Sequence, residues 1–191
     1  MRAVKNQTAE EKTLTQYNEV IAHCFEIYKT KATDYGTSWR VFRLPSLIDQ
    51  IFIKASRIRN IDQPGHNKKV DEEMDAEFMG IVNYGIIGMI QLSLGDGLDD
   101  ELSKQSAEIK FLEQAEITRK VMLAKNHDYG EAWREMFISS FTDMILIRIR
   151  RLRQIIRNDG ITLISEGLDS HFTDIINYAV FALIKIHEEN S

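Results

Sequence analysis

Along residues 9–31 the apolar side chains Leu14, Tyr17, Ile21, Cys24 and Tyr28 recur every three or four positions, the period of one helical face. A second such stripe, Met74, Phe78, Ile81, Gly85 and Gly88, lies in residues 71–94, and a third, Leu168, Phe172, Ile175, Ala179 and Ala182, in residues 165–188. The segment "MILIRIRRL" (144–152) behaves differently: apolar and basic residues alternate, which alone would read as a strand. The related segment "QIFIKASRI" (50–58) does not alternate, and Ile48, Ile51, Ala55 and Ile58 keep helical spacing. If the two segments share one structure, both are helices. The pattern therefore predicts helices over roughly 9–31, 46–62 and 71–94, and again over 100–125, 139–157 and 165–188. Only two prolines interrupt the chain, and "QPGHN" (63–67), "GDG" (95–97) and "RNDGIT" (157–162) read as its loops.

The two halves are related in sequence as well as in pattern. "KATDYGTSWR" (31–40) returns as "KNHDYGEAWR" (125–134), and with no gap residues 31–90 match residues 125–184 at 20 of 60 positions. Chance would give roughly one identity in seventeen for ordinary compositions. The chain is thus expected to be a tandem duplication of a three-helix unit, 1–95 and 96–191, the halves packed together as one domain. Small residues at the matching positions 85/179 and 88/182 predict that the third helices of the units approach closely about a pseudo-two-fold axis. The fold class is all-α, a merged bundle of six long helices.

Composition then narrows the function. With 191 residues, 43% hydrophobic and 28% charged, the chain can bury a substantial core. A net charge of -5 disfavours general affinity for duplex DNA. "RIRRLRQIIR" (148–157) is basic, but no aromatic residues interleave it, so nucleic acid is not favoured there either. The single cysteine excludes a disulfide framework. The apolar run Ile81–Leu94 is broken by polar residues and short of a bilayer span, and the N-terminus lacks a signal-peptide core. The cytoplasm is the expected compartment, with no membrane association.

Candidate chemistry sits in three places. Glu166, Asp169, Thr173 and Asn177 share one helical face with Asp174 beside them, and the first unit keeps Glu72, Asp75 and Asn83 there but has Gly80 opposite Asp174. Carboxylates so spaced repel, which a hard divalent ion such as magnesium would resolve; the alternative is an acidic first turn favoured by the helix dipole. Lys54 and Arg57, with counterparts Arg148 and Arg151, and Lys31 and Lys125 before the repeated motif, suit phosphate oxygens or ion pairs with those acids. In the motif itself, Gly36 and Gly130 predict positive φ after a helix, Asp34 and Asp128 could bond nearby amides or a metal, and Trp39 and Trp133 are core anchors or base-stacking surfaces. His127 and His171 are expected at the surface, and "EQAE" (113–116) is expected to form a solvated face.

The order K-x-x-D-Y-G-x-x-W, a helix with K/R-x-x-R, and an acidic helix start followed by "DIINY" (174–178) or "GIVNY" (80–84) resembles the nucleotide modification associated domain 1 family. More loosely, it is similar to the all-α nucleoside triphosphate pyrophosphatases of the MazG and dimeric dUTPase type, whose second magnesium motif Glu72–Asp75 and Glu166–Asp169 match; no duplicated E-x-x-E is present. The resemblance implies a magnesium-dependent nucleotide binder or hydrolase. Metal would sit on Glu166, Asp169 and Asp174, with Asp128 in reach, and in the first unit on Glu72 and Asp75. Lys125, Arg148 and Arg151 would neutralise phosphate charge, Tyr129 or Trp133 would face the base, and Asn177 would orient a water or sugar hydroxyl. Asp34, Tyr35, Trp39, Lys54, Arg57 and Asn83 are the corresponding binding residues of the first unit, which Gly80 marks as the degenerate one. The alternatives are a non-catalytic module that binds a nucleotide or modified nucleotide, and a structural bundle with internal ion pairs. A homodimer is compatible with each.

Overall fold

A computed structural model of the chain describes residues 8–63, 73–95, 101–158 and 167–190. The first helix, α1 (Ala9–Tyr35), starts from a reciprocal cap: Thr8 Oγ1 accepts from the Glu11 amide at 3.1 Å, and the Glu11 carboxylate accepts from the Thr8 amide at 2.9 Å. It ends at Gly36 and leads through a 3-10 turn (Ser38–Val41) to α2 (Leu44–Ile61) and α3 (Met74–Leu94). The second unit repeats the series: α4 (Lys104–Tyr129), a 3-10 turn (Ala132–Glu135), α5 (Ile138–Arg157) and α6 (Leu168–Glu189). The described residues are all-α, as the spacing predicts, and the alternating segment 144–152 is helical within α5.

Helices α1 and α4 run four residues beyond the predicted ends and take in the Asp-Tyr of the repeated motif. Both helices stop at a glycine, which takes the positive φ of a helix terminus without strain. Gly36 (φ +59°) and Gly130 (φ +59°) both have the positive φ expected of them. Helices α3 and α6 start at Met74 and Leu168, so Glu72 and Glu166 lie outside the described residues.

Helices α3 and α6 make the most extensive contact in the bundle. A Cβ at Gly88 would come within 2.5 Å of the Phe172 ring, and one at Gly85 within 2.6 Å of Ile176, so both positions must lack a side chain for the helices to meet this closely. Helices α2 and α5 flank this pair, each against the third helix of its own unit and against each other. The long helices α1 and α4 cross over: α1 packs on α6 as α4 packs on α3. The contacts therefore obey a pseudo-two-fold relation, and two ion pairs obey it too. Arg153 reaches Asp49 at 2.7 Å, and its counterpart Arg59 reaches Asp143 at 3.8 Å. The identity of these four positions between copies thus has a structural cause at the α2–α5 seam.

Burial is heaviest on α3 and α6, where Phe78, Ile81, Ile86, Phe172, Ile175 and Leu183 are fully enclosed. Helix α3 is the one described helix long and apolar enough to cross a membrane, longer than the run read from sequence, and its apolar surface is mostly covered within the bundle. Cys24 is buried in the same core, and desolvation pushes its thiol up to about 12, so it is inert filling.

Candidate functional site

The repeated phrase divides into two parts with different work. Its second half, Trp-Arg, is architecture. Arg40 is buried and donates to the Gln91 side chain and to the Gly95 carbonyl at 3.2 Å, closing the C-terminal end of α3. Gln91 answers with bonds to the Arg40 and Phe42 carbonyls at 3.1 and 2.7 Å. In the second unit Lys185 takes the place of Gln91 and donates to the Arg134 carbonyl at 2.7 Å. Arg134 itself joins Glu131, Thr13, Gln16 and Glu188 into a polar clasp between α1, α6 and the second motif. Glu131 adopts φ +65°, rare for a side-chain-bearing residue, and is held there by bonds from Thr13 (2.6 Å), Asn126 and Arg134 (2.9 Å). Burial pushes its carboxyl up, but those three donors and the Arg134 charge outweigh it and hold it below its ordinary value.

The cations of α2 and α5 meet acids of α3 and α6, but not the same acid in each copy. In the first unit Lys54 (3.2 Å) and Arg57 pair with Glu77, which sequence reasoning passed over. In the second, Arg148 (2.8 Å) and Lys125 (2.6 Å) pair with Asp174. The carboxylate has moved by one helical turn: Glu77 corresponds to His171, and Asp174 to Gly80. His171, expected at the surface, is buried at this position because α6 packs against both α3 and α5 there. His127 is exposed, as expected, with Nδ1 3.3 Å from Glu10.

This one-turn displacement leaves the first unit open. A cavity of about 680 Å³ lies between α1, the 3-10 turn and α3, lined by Lys31, Tyr35, Trp39, Lys54, Gly80, Asn83 and Tyr84 among others. Gly80 makes room for the Lys54 stem, which would lie 2.5 Å from a Cβ there. Lys31 stands exposed at one side and Tyr35 at the mouth, while Trp39 and Asn83 are buried in the wall. The Asn83 carboxamide has its Oδ1 sealed from water without a hydrogen-bond partner among the described residues. Its counterpart, Asn177, is satisfied: Oδ1 accepts from the Tyr17 hydroxyl at 2.9 Å, and Nδ2 donates to the Thr118 carbonyl at 3.4 Å. Position 17 corresponds to Phe111, which has no hydroxyl to offer. Burial raises the Tyr17 phenol far above its usual range, so it is a fixed donor.

In the same region of the second unit, side chains that correspond to the cavity walls meet one another. Lys125 and Asp174, counterparts of the opposite cavity walls Lys31 and Gly80, are in contact. Phe181, where the first unit has Ile87, stacks on Trp133 with centroids 4.3 Å apart and planes at 7°, and Arg134 covers the indole at 4.3 Å. Sequence matching favoured this unit as the working one; the open volume is in the other.

The remaining expected residues disperse. Asp34, Asp128 and Tyr129 are exposed at the ends of α1 and α4. Asp75 and Asp169 occupy first helical turns, where the dipole favours them, and Asp75 accepts from the Ala76 amide at 2.7 Å. Arg151 is exposed on α5. Glu113 and Glu116 form a solvated face with Lys110, Arg119 and Lys120. In the basic stretch of α5, Arg148 and Arg153 are engaged within the protein, Arg153 also lying 4.2 Å over Phe52, while Arg150 and Arg157 are exposed. Among the described residues no three of His, Cys, Asp and Glu gather in a group able to hold a metal. The donors present fit ion pairs, and no step through magnesium follows from them. A second groove of about 750 Å³, lined by Lys12, Gln16, Glu19 and His23 of α1 and Glu188 of α6, carries none of the repeated motif, and its Lys12 and Glu188 pair at 2.7 Å.

Fold and cavity together define an internally duplicated all-α protein with an aromatic, lysine-flanked pocket open in its first half. The family model described as Nucleotide modification associated domain 1 matches residues 31–92 and again 125–186, at the same 94-residue offset as the sequence repeat. The chain belongs to this family. No curated protein and no solved structure matches it.

Proposed function

We propose that the chain binds a nucleoside 5′-phosphate, free or modified, in the cavity of its first unit. The observation that carries this reading is the unpartnered Asn83 Oδ1 in the wall of an aromatic pocket flanked by two lysines. A buried acceptor left without a donor costs about 1–3 kcal/mol, and a ligand N–H would recover that once the Asn83 carboxamide turns its Oδ1 into the cavity. Amino and ring N–H groups on a base edge are such donors, and the Asn carboxamide also offers Nδ2 to an adjacent acceptor. Tyr35, Trp39 and Tyr84 supply flat apolar surface on which any base stacks, worth roughly 1–3 kcal/mol per ring. Lys31 and Lys54 supply the charge for a phosphate, Lys54 exchanging part of its pairing with Glu77. The volume lies within the usual 300–1,000 Å³ range of small-molecule sites.

Calorimetric titration with the four deoxynucleoside 5′-monophosphates and triphosphates tests this. Binding is expected to weaken at least tenfold in Asn83→Ala and Lys31→Ala, with the fold unchanged by circular dichroism. Equal affinity in both variants overturns the reading. Repeating the titration with magnesium while assaying pyrophosphate tests the hydrolytic expectation separately.

A further inference from the structure

The two units carry the same pocket-forming positions, yet they differ in where the acid of the third helix falls. In the first unit Glu77 draws Lys54 and Arg57 to the N-terminal side of the cavity and leaves Lys31 facing open space. In the second, Asp174 sits a turn further along and draws Lys125 and Arg148 together across the corresponding volume. Phe181 completes the closure by lying flat on Trp133. Asn177 needs no ligand, because Tyr17 and Thr118 already satisfy it.

Resting on the reading above, we infer that the second unit holds a latent site for the same class of ligand, a base-bearing phosphate, shut by Asp174 and Phe181, so that each chain takes one ligand. Asp174 acts as an internal stand-in for the phosphate. Its carboxylate places negative charge on Lys125 and on Arg148, the counterparts of the first unit's Lys31 and Lys54, and Phe181 offers Trp133 the flat face that a base would otherwise present. Gly80 and Ile87 are the complementary openings in the first unit. Lacking a side chain at 80, the first unit has nothing to bridge Lys31 to α3, and Lys54 can lie across the bare helix surface. The acid register, not the repeated motif, therefore sets which half is accessible. This is why the half with the fuller match to the sequence pattern is the closed one.

The test exchanges the two openings. Calorimetry with a deoxynucleoside 5′-monophosphate is expected to give one site in the wild-type chain. It is expected to give two in the Asp174→Gly, Phe181→Ile double variant. G80D is expected to abolish binding by pairing the new carboxylate with Lys31 and Lys54. A ligand-independent arm uses Trp39→Phe, which leaves Trp133 as the sole tryptophan. Iodide, an anion that the lysines attract, is expected to quench its fluorescence at least twice as strongly once Asp174→Gly and Phe181→Ile are added, with helicity unchanged. Two sites in the wild type, or one site in the opened variant, overturns the inference while the proposed function stands. Unchanged iodide quenching overturns the latent cavity even if no nucleotide binds either form, an outcome that would remove the proposed function independently.

Discussion

Gly88→Ala is the most direct perturbation of the axis on which both units depend. A methyl at this position would meet Phe172 Cε1, Cζ and Cδ1 at 2.5, 2.8 and 3.0 Å. Unstrained carbon–carbon contacts lie near 3.5–4.0 Å, so ring or helix must retreat by about 1 Å. Phe172 is fully buried, and packing at native density leaves the ring no free space to enter. Overpacking of this kind costs about 1–3 kcal/mol, with larger values where the clash meets a rigid aromatic ring. Helix propensity acts in the opposite sense and returns about 1 kcal/mol. The net expectation is a loss of up to about 2 kcal/mol, which at that upper value is roughly 4–8 °C in Tm for a domain of this size. Urea denaturation followed by circular dichroism reads it as a lower midpoint at unchanged slope. Phe172→Leu, combined with Gly88→Ala, should recover part of the loss, giving a coupling of at least about 0.5 kcal/mol in the double-mutant cycle. If Gly88→Ala stabilises the protein by its propensity alone, or if the two changes are additive, the close approach of α3 and α6 is wrong and the pseudo-two-fold packing goes with it.

The Arg134 clasp gives two more expectations. Hydrogen bonds from Lys12 first, then Gln16 and the charge of Arg134, hold the Glu188 carboxyl down at about 2 against the opposing effect of burial. A depressed acid stabilises the fold above its ordinary value of 4.5 and loses that contribution as the pH falls towards 2. With a third of the side chain exposed, solvent screening leaves about 1 kcal/mol of it. Glu188→Gln should therefore cost about 1 kcal/mol at pH 7 in urea denaturation, and the gap from wild type should close during acidification; a gap independent of pH would contradict the assignment. At Glu131 the comparison of two variants separates strain from bonding. Both lose the acceptor shared by Thr13, Asn126 and Arg134, but Glu131→Gly should be less destabilising than Glu131→Ala by about 1 kcal/mol, since glycine alone is at ease with φ +65°. An equal loss in both would show that the backbone there is unstrained.

Hydrophobic spacing and the repeat were sufficient to place the six helices of the described residues and the close contact at Gly85 and Gly88. Those features depend on local period and on small residues at matched positions, which a linear sequence records directly. Comparing the copies even corrected the strand-like alternation of residues 144–152, because two homologous segments must share one backbone. The site was legible only as a collection of residue types. Lys31, Tyr35, Trp39, Lys54 and Asn83 do line one cavity, but the sequence could not rank the copies, and the fuller motif pointed to the closed one. Nor could it show that Glu77 replaces Asp174 from one turn away, that Phe111 deprives Asn83 of the hydroxyl Tyr17 gives Asn177, or that His171 is buried. Each of these depends on which side chains from different helices meet at a point, and those partners lie up to 160 residues apart in the chain. Period and repetition are properties of neighbours along the backbone; whether a pocket is open is decided by where a single carboxylate lands among cations brought from elsewhere in the fold.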